Sequence, residues 1–135
     1  MFSIQGSSAL EAFRGEVRKA LSRLIVPKVE RDTSLDSFIQ IGRAWQQQLF
    51  AERLVAVHWP EQFGGRGLSL VEAAVVQEEL ARCNSPQLLG LFGLTMVGPI
   101  LIQFGSNDQQ TRFLRNILNA SEVWCQGFSE PGAGS

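Results

Sequence analysis

S-E-V-W-C-Q-G-F-S-E-P-G-A-G-S, residues 121–135, breaks the period of everything that precedes it. Its first nine residues alternate faces with β-branched and aromatic side chains, the pattern of a strand, and E-P-G-A-G-S supplies the turn residues of a following loop. A lone strand leaves its N–H and C=O groups unpaired unless further polypeptide or another subunit provides a sheet. The expected organisation is therefore an all-α domain over residues 1–120, followed at 121–135 by the first strand and loop of a β domain cut short.

Upstream of Ser121 the apolar residues recur in steps of three and four. Leu10, Phe13, Val17, Leu21 and Leu24 share one helical stripe that opens at a capping box, Ser8 with Glu11, and closes at Pro27. Arg14, Arg18, Lys19 and Arg23 fall on the other faces and read as solvated. A second helix is expected from Leu35 to Arg53 with Phe38, Ile41, Trp45 and Leu49 buried. A third opens at the capping box Ser69 to Glu72 and turns Ala73, Val76, Leu80 and Cys83 inward. Ser85-Pro86 reads as the N-cap and N1 of a fourth helix, and Ser106 with Gln109 starts a fifth carrying Phe113, Leu114, Ile117 and Leu118. Five helices around one core that includes Phe13, Leu21, Trp45, Leu49, Val76, Leu80 and Phe113 follow from this spacing.

Composition narrows the function. The 135 residues carry 12 Lys and Arg against 13 Asp and Glu, a net charge of −1, so neither a polyanion nor an anionic membrane is indicated as the partner. No apolar run reaches the ~18 residues of a membrane span, and the N-terminus lacks the basic start of a signal peptide. Cys83 and Cys125 stand too far apart for a CxxC or zinc-knuckle pattern, and a reduced, cytoplasmic protein is the simpler reading.

Candidate chemistry is sparse. His58 is the single histidine, with no Cys, Asp or second His nearby, so it reads as a packing residue and no metal site is expected. Glu78 and Glu79 are adjacent on a helix and point about 100° apart, which argues against a shared carboxylate site. The V-A-V-H-W-P-E-Q-F-G-G-R-G stretch, residues 55–67, has neither the preceding strand of a dinucleotide fold nor the Lys-Ser/Thr of a P-loop, and reads as an ordered turn. Gly90, Gly93 and Gly98 weaken the fourth helix unless something approaches it closely, either a neighbouring helix or an apolar ligand in the groove.

Three segments carry a family resemblance: W-P-E-Q-F-G-G-R-G-L-S with E-A-A-V-V-Q-E-E-L-A-R, the F-G-S-N-D-Q-Q-T-R-F-L helix start, and W-C-Q-G-F-S-E-P-G-A-G-S. In order and spacing they resemble the N-terminal part of the acyl-CoA dehydrogenase family. The resemblance implies an FAD-dependent α,β-dehydrogenation of an acyl-CoA thioester, with the proton-abstracting glutamate in a C-terminal domain that these residues do not include. No catalytic residue is then expected here, and the chain by itself is expected to be inactive. By the same resemblance Gln126, Phe128 and Ser129 lie on the flavin, Ser135 contacts the thioester, and Leu88, Leu91 and Thr95 face the acyl tail. A homo- or hetero-oligomer is implied as well. The competing readings are a non-catalytic helical partner module, and the corresponding part of an acyl-CoA oxidase or flavin monooxygenase of the same fold.

Overall fold

A computed structural model of the chain describes residues 7–133, and Ser135 lies outside them. The described residues form five α-helices: α1 Ser8–Leu21, α2 Leu35–Ala51, α3 Leu70–Arg82, α4 Gly98–Phe104 and α5 Asn107–Leu118. A 3-10 turn at Glu61–Phe63 interrupts the α2–α3 connection, and a π-helical segment at Gly93–Val97 runs directly into α4. α1 packs on α3, and α5 packs against α2, α4 and the π segment. Trp45, Leu49, Trp59, Val75, Val76, Leu114, Ile117 and Leu118 sit at the centre, all almost without exposure. The expected core is present, with Phe113 half-buried at its edge.

The capping boxes at Ser69/Glu72 and Ser106/Gln109 form as the spacing predicts. The one at Ser8 does not. Ser7 holds the N-cap position of α1 without a side-chain bond, and the Glu11 carboxylate sits 3.6 Å from Arg14 Nε. α1 also stops at Leu21 rather than running to Pro27, and Phe38 on α2 is exposed.

The fourth helix starts later than Ser85-Pro86 predicts, because Ser85 is already engaged. α3 ends with Asn84 in the left-handed region (φ 55°), and Ser85 N–H closes back onto Leu80 C=O at 2.9 Å. Its hydroxyl accepts from Trp45 Nε1 at 2.8 Å and donates to Pro86 C=O at 3.0 Å. The hydroxyl is thus turned to Trp45 and Pro86 and caps no helix, and helical backbone begins only at residue 91.

Residues 123–129 form no ladder among the described residues, and the only pairing near them is the isolated bridge Glu130 to Ala133. The strand expected there has no neighbouring strand to bond, and an unpaired strand is not stable alone.

The largest departure concerns charge. Arg14, read as solvated, is buried, and its Nη1 donates to both Glu78 Oε2 and Glu79 Oε1 at 2.8 Å. Arg18 adds Nε to Glu79 Oε2 at 2.7 Å, and Arg82 Nε lies 3.5 Å from Glu79 Oε1. The two adjacent carboxylates do share a partner, because the long guanidinium reaches both from the facing helix. Burial alone would raise the Glu79 carboxyl. Hydrogen bonds from Arg18 and Arg14, and the charges of Arg18 and Arg82, outweigh it and hold the pKa below the ordinary 4.5.

A carboxyl depressed in the folded state contributes stability that is full above its unfolded pKa and lost as pH falls through the folded one. Glu79→Gln is therefore expected to lower the urea midpoint near pH 7, and its difference from the parent should shrink once pH drops below 4.5. Equal differences near neutrality and at about pH 3 would contradict this assignment.

Candidate functional site

The connection from α2 to α3 alternates in burial. Val55, Val57 and Trp59 are buried, so His58, between two of them, points the other way and is exposed. Opposite it stands the outer face of α3, and the 85–95 segment closes the third side. Together they line a cavity of about 480 Å³, within the range of small-molecule sites. Leu54, Val57, Ala73, Val76, Leu80, Leu88, Leu91 and Leu94 supply most of its wall. Its polar side chains are His58, Gln77, Ser85, Gln87 and Thr95, and no Asp, Glu, Lys or Arg lines it. Desolvation by this wall pushes the His58 imidazole below its ordinary 6.5, so the ring is neutral at neutral pH.

The glycines of the 90–98 segment serve packing on the side away from the cavity. A Cβ on Gly93 would stand 2.8 Å from Ile117 Cγ2, and one on Gly98 would stand 2.1 Å from Trp59 Cζ2. Neighbouring side chains therefore take the close approach. With the helix seated that deeply, the π turn directs Thr95 outward, where its hydroxyl donates to Leu91 C=O at 2.8 Å.

Leu88, ahead of the helical backbone, and Leu91 and Thr95 within it line one cavity together. Gln126, Phe128 and Ser129 do not line it. They are exposed on the 123–129 segment, which leaves α5 past Trp124, whose ring meets Phe113 edge-on at 5.4 Å. Among the described residues no backbone or side-chain group of residues 125–129 makes a hydrogen bond. Of its polar side chains, His58, Gln77, Ser85 and Gln87 are ones that sequence reading did not place at a site. For His58 the apolar-polar-apolar order Val57, His58, Trp59 was the available signal.

The family model for the acyl-CoA dehydrogenase N-terminal domain matches residues 7–121. The chain belongs to the acyl-CoA dehydrogenase family. It is 41% identical over 132 residues to acyl-CoA dehydrogenase IpdE1 of Mycolicibacterium smegmatis, covering 93% of this chain and 34% of that protein. Among solved structures it is similar to the ChsE4-ChsE5 complex from Mycobacterium tuberculosis, with TM-score 0.71, 25% identity and coverage of 98% of this chain and 33% of that one. The Tcur3481-Tcur3483 steroid ACAD gives TM-score 0.68 and 26% identity, covering 98% of this chain and 34% of that one. The chain spans about a third of the length of these relatives. Among the described residues no helix is long and apolar enough to cross a membrane, and no cluster of three metal-ligating side chains occurs.

Because Gly98 carries Trp59 directly against helical backbone, Gly98→Ala is expected to destabilise the fold by about 1–3 kcal/mol through overpacking. Urea unfolding measures this. A variant as stable as the parent would mean that the indole yields without cost.

Proposed function

We propose that this chain forms the acyl-binding wall and part of the flavin contact of an FAD-dependent acyl-CoA dehydrogenase that converts an acyl-CoA thioester to its α,β-enoyl product. The observation that carries the reading is the uncharged, mostly apolar cavity that holds Leu88, Leu91 and Thr95 together. Apolar walls of this kind take an alkyl or alicyclic group out of water, while the phosphates of coenzyme A find no cation inside and stay outside it.

The flavin end fits a ring cofactor on the chemistry of its donors. Phe128 offers a flat, 78% exposed aromatic face, and Ser129 adds a hydroxyl beside backbone N–H groups that have no partner among the described residues. FAD, when bound, supplies the acceptor for the substrate's β-hydrogen as hydride. Ser129 and the neighbouring N–H groups would hold that ring by donating hydrogen bonds to its polar edge. Gln126 flanks the ring. The Leu88 and Leu91 side chains exclude water around the acyl group and hold it in register. The base that removes the α-proton belongs to the remainder of the enzyme. Residues 1–120 act as the helical domain, and 121–135 as the entry to the β domain that completes the flavin site. The relatives named as two-component assemblies support a homo- or hetero-oligomer, and the two free thiols Cys83 and Cys125 suit a reducing cytoplasm.

The polypeptide that carries this chain is expected to purify with flavin whose absorbance bleaches on anaerobic addition of an acyl-CoA substrate. A colourless protein would support a non-catalytic module instead. In that polypeptide, Ser129→Ala should slow flavin reduction or weaken flavin affinity roughly threefold to thirtyfold. Ser121→Ala, which removes a hydroxyl before the segment begins, should leave both unchanged. Equal behaviour of the two variants at equal thermal stability would remove Ser129 from the flavin site.

A further inference from the structure

The polar groups of the cavity are not equally available. The Ser85 and Thr95 hydroxyl protons are already donated, to Pro86 C=O and Leu91 C=O. His58, Gln77 and Gln87 make no hydrogen bond among the described residues. Of these, only His58 sits on backbone fixed by two buried neighbours, Val57 and Trp59, each 2% exposed. The position of its backbone in the wall is therefore set by the core, while the ring itself, like the two glutamine side chains, is exposed.

A neutral imidazole presents one N–H donor and one acceptor nitrogen. Its only perturbation here is desolvation, with no charged group contributing. Covering that ring with a plain alkyl chain would strip water from both nitrogens and return no hydrogen bond, a net loss. An oxygen on the bound group would replace the lost water.

We propose that His58 is a specificity-determining residue that reads a carbonyl or hydroxyl oxygen on the acyl portion of the ligand, so that the cavity favours an oxygenated acyl-CoA over an unfunctionalised one. The inference rests on the acyl-binding reading of the cavity and deepens it. Recognition needs no charge on either side, and Gln77, on the facing α3 wall, offers a second donor to the same oxygen or its solvent.

Calorimetric titration of the intact polypeptide that carries this chain, with decanoyl-CoA, 7-oxodecanoyl-CoA and 9-oxodecanoyl-CoA, tests it. At least one oxo probe is expected to bind about five- to tenfold more tightly than decanoyl-CoA, the scale of one hydrogen bond. His58→Phe should erase that preference while leaving decanoyl-CoA affinity equal or improved, and His58→Asn, which keeps a hydrogen-bonding group, should retain part of it. Because His58 is exposed, thermal melting of both variants is expected to match the parent. No preference in the parent, or a preference that survives His58→Phe, overturns the assignment and leaves the acyl-binding reading standing. Failure of the parent to bind any of the three overturns both.

Discussion

The Gln46 amide is the joint on which the architecture of the site depends. It is wholly buried on α2, donates from Nε2 to Ile117 C=O at 3.1 Å and Leu118 C=O at 3.0 Å, and accepts from Gly90 N–H at 3.0 Å. The last carbonyls of a helix have no partner within it, and here two of them, at the end of α5, lie in the core. A helix end buried without partners would be costly, so the Gln46 amide, together with Ala120 N–H on Ile117 C=O, satisfies these carbonyls and holds the turn ahead of the 91–104 helical stretch. Glycine at position 90 lets the amide sit this near without a shift, since a Cβ there would stand a tight 3.1 Å from Gln46 Nε2.

That joint sets the position of the cavity wall. From Gly90 the chain enters the π segment, where Gly93 meets Ile117 and Gly98 meets Trp59, and these seats turn Leu91, Leu94 and Thr95 toward α3. On the other side, the Arg14–Glu79 cluster ties α3 to α1 and so holds the opposite wall. Pairing with Arg14, Arg18 and Arg82 is what makes a buried Glu79 tolerable. Breaking one member would leave a charge in the interior uncompensated. The cavity is thus bounded by elements each anchored through a buried polar contact, while its own lining remains free of charge.

Much of this was legible in sequence. The apolar stripes located the helices, and the boxes at Ser69 and Ser106 located two of their starts, because local hydrogen bonds decide those features. The features that escaped are those decided by tertiary partners. Arg14 and Gln46 flank apolar stripes, where a polar residue reads as solvated, and only the facing carboxylates and the buried α5 carbonyls reveal them as buried. α2, α3 and α5 end at Arg53, Asn84 and Ala120 in the left-handed region, without the glycine that usually marks such an end. That is why the fourth helix was expected too early, at Ser85. The 121–135 stretch has strand character, but pairing needs a second strand, and no local pattern supplies one.

Photoaffinity labelling tests most directly whether the cavity between α3 and the 85–95 segment is where the acyl group lies. An acyl-CoA carrying a diazirine at the chain terminus, irradiated with the polypeptide that carries this chain and mapped by mass spectrometry, should modify residues within 54–58, 73–81 or 88–95. An excess of unlabelled acyl-CoA should suppress that modification. Labelling that avoids these three stretches, or that competitor leaves undiminished, would contradict the account.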